Sequence, residues 1–327
     1  MLRLLAYLAR AAFVTAIARL RRGPRRPSWT FGFEATVAAM RAEMAWLSRL
    51  PVPRQRAVAA KLAGRSPELA RVAFEEARLD GVAVVRCRPR ELGSRRVVLY
   101  LHGGGFVFGS TRQDAALVAT LAVACDAEVV GVDYALAPEH PCPAATRDVV
   151  AAHAALLAEG HAPEAVAWVG LSAGGFVAAA ALVDARDRDV PLPACAALLS
   201  AGGDLPSADG ARRSYVENAA LDLFGDVDLT ANTAAYAGKL DVHDPRVAPI
   251  RADLRGLPPL LVQTGECEML RDACVAFGDA ARAAGVSVEM QVYEDMVHAF
   301  QTLRGPPQVQ RAVDAIAAFV RLSCSST

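Results

Sequence analysis

Ala165-Val166-Ala167-Trp168-Val169-Gly170-Leu171-Ser172-Ala173-Gly174-Gly175-Phe176 sets the architecture expected of this chain. An apolar run over 165–169 leads directly into Gly-x-Ser-x-Gly, and an alanine-rich segment follows through Arg186. A short, unbroken apolar run reads as a strand buried on both faces, and the segment after it as a helix. The turn between them must be tight, and glycine on either side of Ser172 lets neighbouring backbone approach without a clash. A serine on such a strained turn has its hydroxyl exposed at the sheet edge, with the positive end of the following helix aimed at it. The motif alone recurs at ordinary glycine-rich helix starts. The strand before it and the helix after it give it meaning here.

On either side of this stretch, from about Val72 onward, β-branched runs alternate with longer alanine-rich ones. Strands are predicted over residues 82–87, 97–101, 128–133, 165–169, 196–200, 260–264 and 287–293. Helices are predicted over 113–124, 144–159, 173–186, 271–284 and 309–322. Gly160 and Gly285 stand where two of these helices should stop. The alternation implies fold class α/β, a mostly parallel central sheet with helices on both faces. The apolar face Val309, Val313, Ile316, Ala317 and Val320 belongs in the core rather than at a dimer surface. Residues 1–65 and 207–253 fall outside the alternation. The first are helices broken by proline-rich turns, and the second an insertion carrying Tyr215, Phe224 and Tyr236. Segments without their own strands commonly sit over the C-terminal edge of such a sheet, so both are expected to form a helical cap on a main domain of residues 66–327.

The 327 residues suffice for one large core, and 35 basic residues balance 35 acidic ones, so charge calls for no nucleic-acid partner. Seven cysteines, odd in number and never spaced as Cys-x-x-Cys, form neither a disulfide framework nor a zinc site, and free thiols in the cytoplasm are expected. Residues 1–20 are apolar with Arg3, Arg10 and Arg19 interspersed. Arg10 cuts the run too short to span a bilayer or act as a secretory signal, which leaves a helix packed on the protein body or, less favoured, one lying on a membrane surface.

The chemistry is carried by a few groups. His102-Gly103-Gly104-Gly105 closes the strand at 97–101. Attack on an ester carbonyl puts negative charge on its oxygen, and a glycine run lets backbone N–H groups turn inward to meet it. Gly104 and Gly105, with Ala173 after the serine, are the expected oxyanion donors, and Gly103 is a further candidate. His102 is expected to orient the loop, and Gly170 and Gly174 to permit the turn. A serine hydroxyl also needs a base. Of six histidines only His243 and His298 follow Ser172, and His243 lies in a polar turn of the insertion. His298, on the loop after the last strand, can reach back to Ser172. Three carboxylates, Glu266, Glu268 and Asp272, follow the strand at 260–264, and spacing does not choose among them. No cofactor or metal-binding pattern is present.

Taken together, these motifs resemble the bacterial hormone-sensitive lipase family of esterases, of the α/β-hydrolase fold, from about Val97 to Leu322. Tyr134-Ala135-Leu136-Ala137-Pro138-Glu139-His140-Pro141, Asp244-Pro245 and Gly256-Leu257-Pro258-Pro259 also match it. The resemblance implies hydrolysis of short- to medium-chain esters, a small-molecule substrate, no cofactor, and a cap built from the N-terminus and an insertion. It also implies Glu268 as the catalytic acid, with Asp272 the alternative. Leu171 departs from the Asp or Thr usual before the nucleophile, and Met269 and Ala135 stand where proline and arginine are common. The same apparatus serves lactone opening, deacylation or acyl transfer, and a relative that has lost its histidine serves as a binding module. Glu139, His140 and Asp148 are expected to hold loops, while Trp29, Phe31, Phe106, Tyr215 and Phe224 are candidates for an acyl pocket. A homodimer is compatible with the sequence.

Overall fold

A computed structural model describes residues 2–61, 64–204 and 213–325. Three helices open the chain: α1 (Leu2–Arg22), α2 (Phe31–Leu47) and α3 (Val52–Ala59). Strands β1 (Val72–Leu79), β2 (Val82–Pro89) and β3 (Val97–Leu101) follow. Then come α4 (Ala115–Cys125), β4 (Glu128–Val132), α5 (Ala144–Ala158), β5 (Val166–Leu171), α6 (Ala173–Asp187) and β6 (Cys195–Leu199). The insertion contributes α7 (Arg213–Glu217) and α8 (Leu229–Ala237) before β7 (Leu260–Gly265), α9 (Arg271–Ala283), β8 (Val288–Tyr293) and α10 (Pro307–Ser323). The start of the expected insertion, residues 207–212, lies outside the described residues.

The eight strands form one sheet in the order β1-β2-β4-β3-β5-β6-β7-β8. β2 runs antiparallel to β1 and β4, and β3 to β8 run parallel. Successive side chains on a strand point to opposite faces, and the core divides accordingly. Val98, Tyr100, Val169, Leu199 and Leu261 pack under α4 and α10, where Ile316, Ala317 and Val320 are buried as expected. Leu99, Leu101, Trp168, Leu198 and Val262 pack under α5, α6 and α9.

The order reverses at β3: the chain steps outward to β4, then crosses back to β5 on the other side. Leu101 pairs with Gly170 in the β3–β5 ladder, so the glycine loop after β3 and the turn after β5 leave the sheet side by side. Such a switch point opens a crevice at the carboxyl ends of the strands. A third apolar cluster lies near it. Trp29, Phe33 and Val37 from the N-terminal segment and Leu223 from the insertion pack on Cys267, Met296, Val297 and Phe300 from the loops after β7 and β8. Burying side chains of this size contributes roughly 1.5–3 kcal/mol each, enough to fix both segments to those loops.

Candidate active site

Ser172 stands between β5 and α6 at φ 51°, ψ −121°, a left-handed backbone conformation costly for a residue with a Cβ. The turn survives because its neighbours are small. A Cβ on Gly174 would lie 2.2 Å from the Leu101 carbonyl oxygen. Leu171, where a hydrogen-bonding residue is usual, is buried, and its Cδ2 lies 3.6 Å from where a Gly103 Cβ would stand. It supports the turn by packing.

His298 Nε2 lies 2.7 Å from Ser172 Oγ, and His298 Nδ1 lies 3.2 Å from Glu268 Oε1. Glu268 Oε2 accepts from the Gly265 N–H at 2.9 Å and the Ser200 hydroxyl at 3.0 Å, and Ser200 Oγ accepts from the Ala299 N–H at 3.0 Å. Both Glu268 and His298 are buried. Burial opposes the imidazolium, but the hydrogen bond and charge of Glu268, joined by the charge of Asp222, outweigh it and raise the His298 pKa above its usual value.

The two other carboxylates after β7 are committed elsewhere. Asp272 Oδ2 accepts from the Ser214 N–H at 2.8 Å and Oδ1 from Arg271 at 2.9 Å, pinning α7 to the start of α9. Glu266 Oε2 accepts from Arg26 at 2.7 Å. His243 remains in its turn, its N–H donating to Asp241 at 2.8 Å.

The glycine loop is held from beneath. Asp114 Oδ2 accepts from the Tyr100 hydroxyl at 2.8 Å and, at 3.4 Å, from the Gly103 N–H, which is thereby already engaged. His102 stacks on Tyr134 with ring centroids 4.3 Å apart, its Nδ1 is 2.7 Å from the Gly103 carbonyl, and the Tyr134 hydroxyl donates to the His102 carbonyl at 2.8 Å. These contacts tie His102 to both the glycine loop and Tyr134. Gly104 sits at φ 122°, where a Cβ would lie 2.0 Å from the Phe108 carbonyl oxygen, so no other residue fits. Among the described residues no acceptor meets the N–H groups of Gly104, Gly105 or Ala173.

The α/β-hydrolase-fold family matches residues 98–302, nearly the whole span from β3 to the loop carrying His298. The chain belongs to this family. An acetyl-hydrolase of Streptomyces hygroscopicus is 38% identical to this hydrolase over 228 residues, 69% of this chain and 75% of that one. Esterase LipI of Mycobacterium tuberculosis is 39% identical over 211 residues, 62% of this chain and 65% of its own. A crystal structure of an esterase from the bacterial hormone-sensitive lipase family superposes with a TM-score of 0.80 at 34% identity, covering 88% of this chain and 98% of that one. The α/β hydrolase described here is accordingly a hormone-sensitive-lipase-type esterase, a serine hydrolase of carboxylic esters.

Ser172 lines a partly open cavity of about 260 Å³ in the hydrolase. Gly103, Gly104, Gly105, Leu171 and His298 line its floor. Met40, Met44, Leu47 and Gln55 line one side, and Leu223, Phe224, Val227 and Asn232 the other. Of the five aromatic candidates only Phe224 reaches it, with its ring 4.7 Å from that of His298. Phe106 stacks on Tyr236 beneath the loop at 4.1 Å, Trp29 donates to the Asp295 carbonyl at 2.7 Å, Phe31 is exposed, and Tyr215 is absent from the lining.

Asp222 is a site residue the sequence did not single out. Fully buried, it accepts from the His298 N–H at 2.9 Å through Oδ1 and from the Met269 N–H at 2.7 Å through Oδ2. One carboxylate from the insertion thereby ties the histidine loop to the acid loop. Asn218 adds donations to the Glu266 and Glu268 carbonyls at 2.8 and 2.9 Å. The available signal was Asp222 itself, a lone acid inside the apolar run over 219–224. Arg56 bridges Glu139 at 2.6 Å and the Val107 and Ala137 carbonyls at 2.8 and 2.9 Å, while Asp148 accepts from the Ala135 N–H at 2.8 Å. Glu266, Cys267 and Asp295 bring ligand-type atoms within 4.8 Å of one another, but the Arg26 guanidinium already answers their charge.

Proposed function

We propose that this esterase cleaves short-chain carboxylic esters, acetyl esters foremost, through an acyl-enzyme on Ser172. The observation that carries the proposal is the unbroken relay Ser172–His298–Glu268 at a small cavity, beside three N–H groups that meet no acceptor among the described residues. His298 Nε2 takes the proton as Ser172 Oγ bonds to the carbonyl carbon, and the carbonyl electrons move onto its oxygen. The N–H groups of Gly104, Gly105 and Ala173 stabilise that oxyanion. Its collapse expels the alcohol, which takes the proton from His298. Water then attacks the acyl carbon, passes its proton to His298, and Ser172 is released with its proton restored. Glu268 holds the imidazole tautomer and balances its charge.

The acyl preference rests on size. About 260 Å³ falls below the ~300–1,000 Å³ of typical ligand pockets, which supports acyl groups at the short end of the range. The acetyl-hydrolase among the relatives supports it too. Residues 1–65 and 207–253 act as the cap, a role supported by their side chains on both walls of the cavity. Seven cysteines, all buried and none in a disulfide, support a reducing, cytoplasmic setting. No helix among the described residues is long and apolar enough to cross a membrane.

The test is hydrolysis of p-nitrophenyl esters from acetate to decanoate by the wild type and by Ser172→Ala, with fluorophosphonate labelling alongside. Turnover falling with chain length and abolished in the variant is expected. Highest turnover on long acyl chains would refute the size assignment, and undiminished turnover by Ser172→Ala would refute the nucleophile.

A further inference from the structure

α1 turns its apolar side the wrong way for a helix that only packs on its own protein. Ala11 and Thr15 are buried, while Phe13 is 68% exposed, Val14 54% and Leu20 89%, with Leu8 and Ile17 also exposed. Five of the ten large hydrophobic side chains exposed among the described residues lie on this one helix, so the patch is concentrated, not scattered. Phe13, Ile17 and Leu20 follow the i, i+4, i+7 spacing of a single helical face. Arg10, three residues before Phe13, and Arg21, four after Ile17, border that face.

The charge is equally uneven. Arg3, Arg10, Arg19, Arg21, Arg22, Arg25 and Arg26 precede Glu34, and no acidic residue does, so the balance of 35 against 35 hides a cationic start on an acidic remainder. Arg19, Arg22 and Arg25 gather around Glu34, and Arg26 pairs with Asp295 and Glu266. Arg10 and Arg21 are exposed and meet no acid among the described residues. An apolar stripe edged by unpaired arginines matches a helix lying in the interfacial plane of a membrane. A second copy fits poorly. Two-fold pairing on this face would bring the arginines of both copies together with no acid on α1 to answer them.

We propose that the outward face of α1 seats this hydrolase on the surface of an anionic bilayer, the Phe13–Ile17–Leu20 stripe entering the headgroup boundary and Arg10 and Arg21 contacting lipid phosphates. α2, on which α1 packs, supplies Met40, Met44 and Leu47 to the cavity over Ser172, so the docking face lies one helix away from the site. Docking is independent of the acyl preference.

The test is co-sedimentation of the full chain with vesicles of phosphatidylcholine alone and of equal parts phosphatidylcholine and phosphatidylglycerol. Wild type, Phe13→Glu/Leu20→Glu and Arg10→Glu/Arg21→Glu are compared. Binding confined to the anionic vesicles is expected, weakened by roughly tenfold or more in each variant, with hydrolysis of a water-soluble ester unchanged as the control for folding. Absence of wild-type binding, equal binding to both vesicle types, or equal binding by all three proteins overturns the proposal. So does a wild-type dimer that Phe13→Glu/Leu20→Glu converts to monomer without vesicle binding, since the face would then belong to a second copy.

Discussion

Asp222 accepts backbone N–H groups from two loops that carry the base and the acid, and its charge adds to that of Glu268 in raising the pKa of His298. The base acts in its neutral form, so activity rises with pH through that raised value. Asp222→Asn removes one of the two charges and should move the acid limb of kcat/KM to lower pH. It also turns an amide N–H against at least one of the three backbone N–H donors, those of His298, Met269 and Leu223, at a cost of about 1–3 kcal/mol in stability. An unmoved limb in a pH–rate profile would show that Asp222 only braces the loops. Glu268→Gln should reduce kcat on the order of 10⁴, by analogy with loss of the triad acid elsewhere, whereas Asp272→Asn should leave kcat within about tenfold and mainly loosen α7. Steady-state kinetics on one ester compares the two, and the reverse ranking would reassign the acid. Ser172 and His298 were legible because motif and chain order name them. Glu268 was not separable by spacing from Glu266 and Asp272, because what distinguishes it is the direction of a side chain within one loop. Asp222 escaped because its partners are 47 and 76 residues away.

The glycine loop after β3 and the turn after β5 work as a pair because two parallel strands end at the same level. Gly104→Val would force a Cβ into the Phe108 carbonyl and turn the N–H out of place, lowering kcat by on the order of 10²–10³ or more. Unaltered far-ultraviolet circular dichroism would confine the damage to the loop, and near-normal kcat would remove Gly104 from the oxyanion site. Beneath the sheet, Phe277 of α9 is fully buried, and Phe277→Ala should cost about 3–5 kcal/mol in urea unfolding. The buried strands were legible as apolar runs. β1 was not, because Glu75 and Glu76 interrupt it. An edge strand needs little burial, and in β1 only Val72 and Leu79 at its two ends are buried. The strand expected over 165–169 ends two residues later, at Leu171, because Gly170 and Leu171 still pair with β3 and β6. The α/β class was thus readable from periodicity, whereas the seating of the first 65 residues depends on ion pairs that periodicity does not register.

Those ion pairs join segments 269 residues apart. Arg26 pairs with Asp295 and Glu266, the Ser28 hydroxyl donates to Asp295 at 2.6 Å, and Trp29 donates to the Asp295 carbonyl, three residues before His298. Burial opposes the ionised Asp295 carboxylate, but the Ser28 and Arg26 hydrogen bonds prevail and hold its pKa below the usual value. Arg26→Met should therefore cost about 1–3 kcal/mol and bring thermal inactivation to a lower temperature than the melting of the sheet. Activity and circular dichroism followed on the same sample would check it, and coincident curves would contradict it. The sequence separation of this latch bears on biosynthesis as well. Arg26 is translated 269 residues before its partner Asp295. The nucleophile turn and the glycine loop, built from neighbouring strands, can form while the chain is still growing. The histidine loop is latched only after Arg26 meets Asp295, and the nascent polypeptide carries the Ser172 hydroxyl for 126 residues before His298 is made.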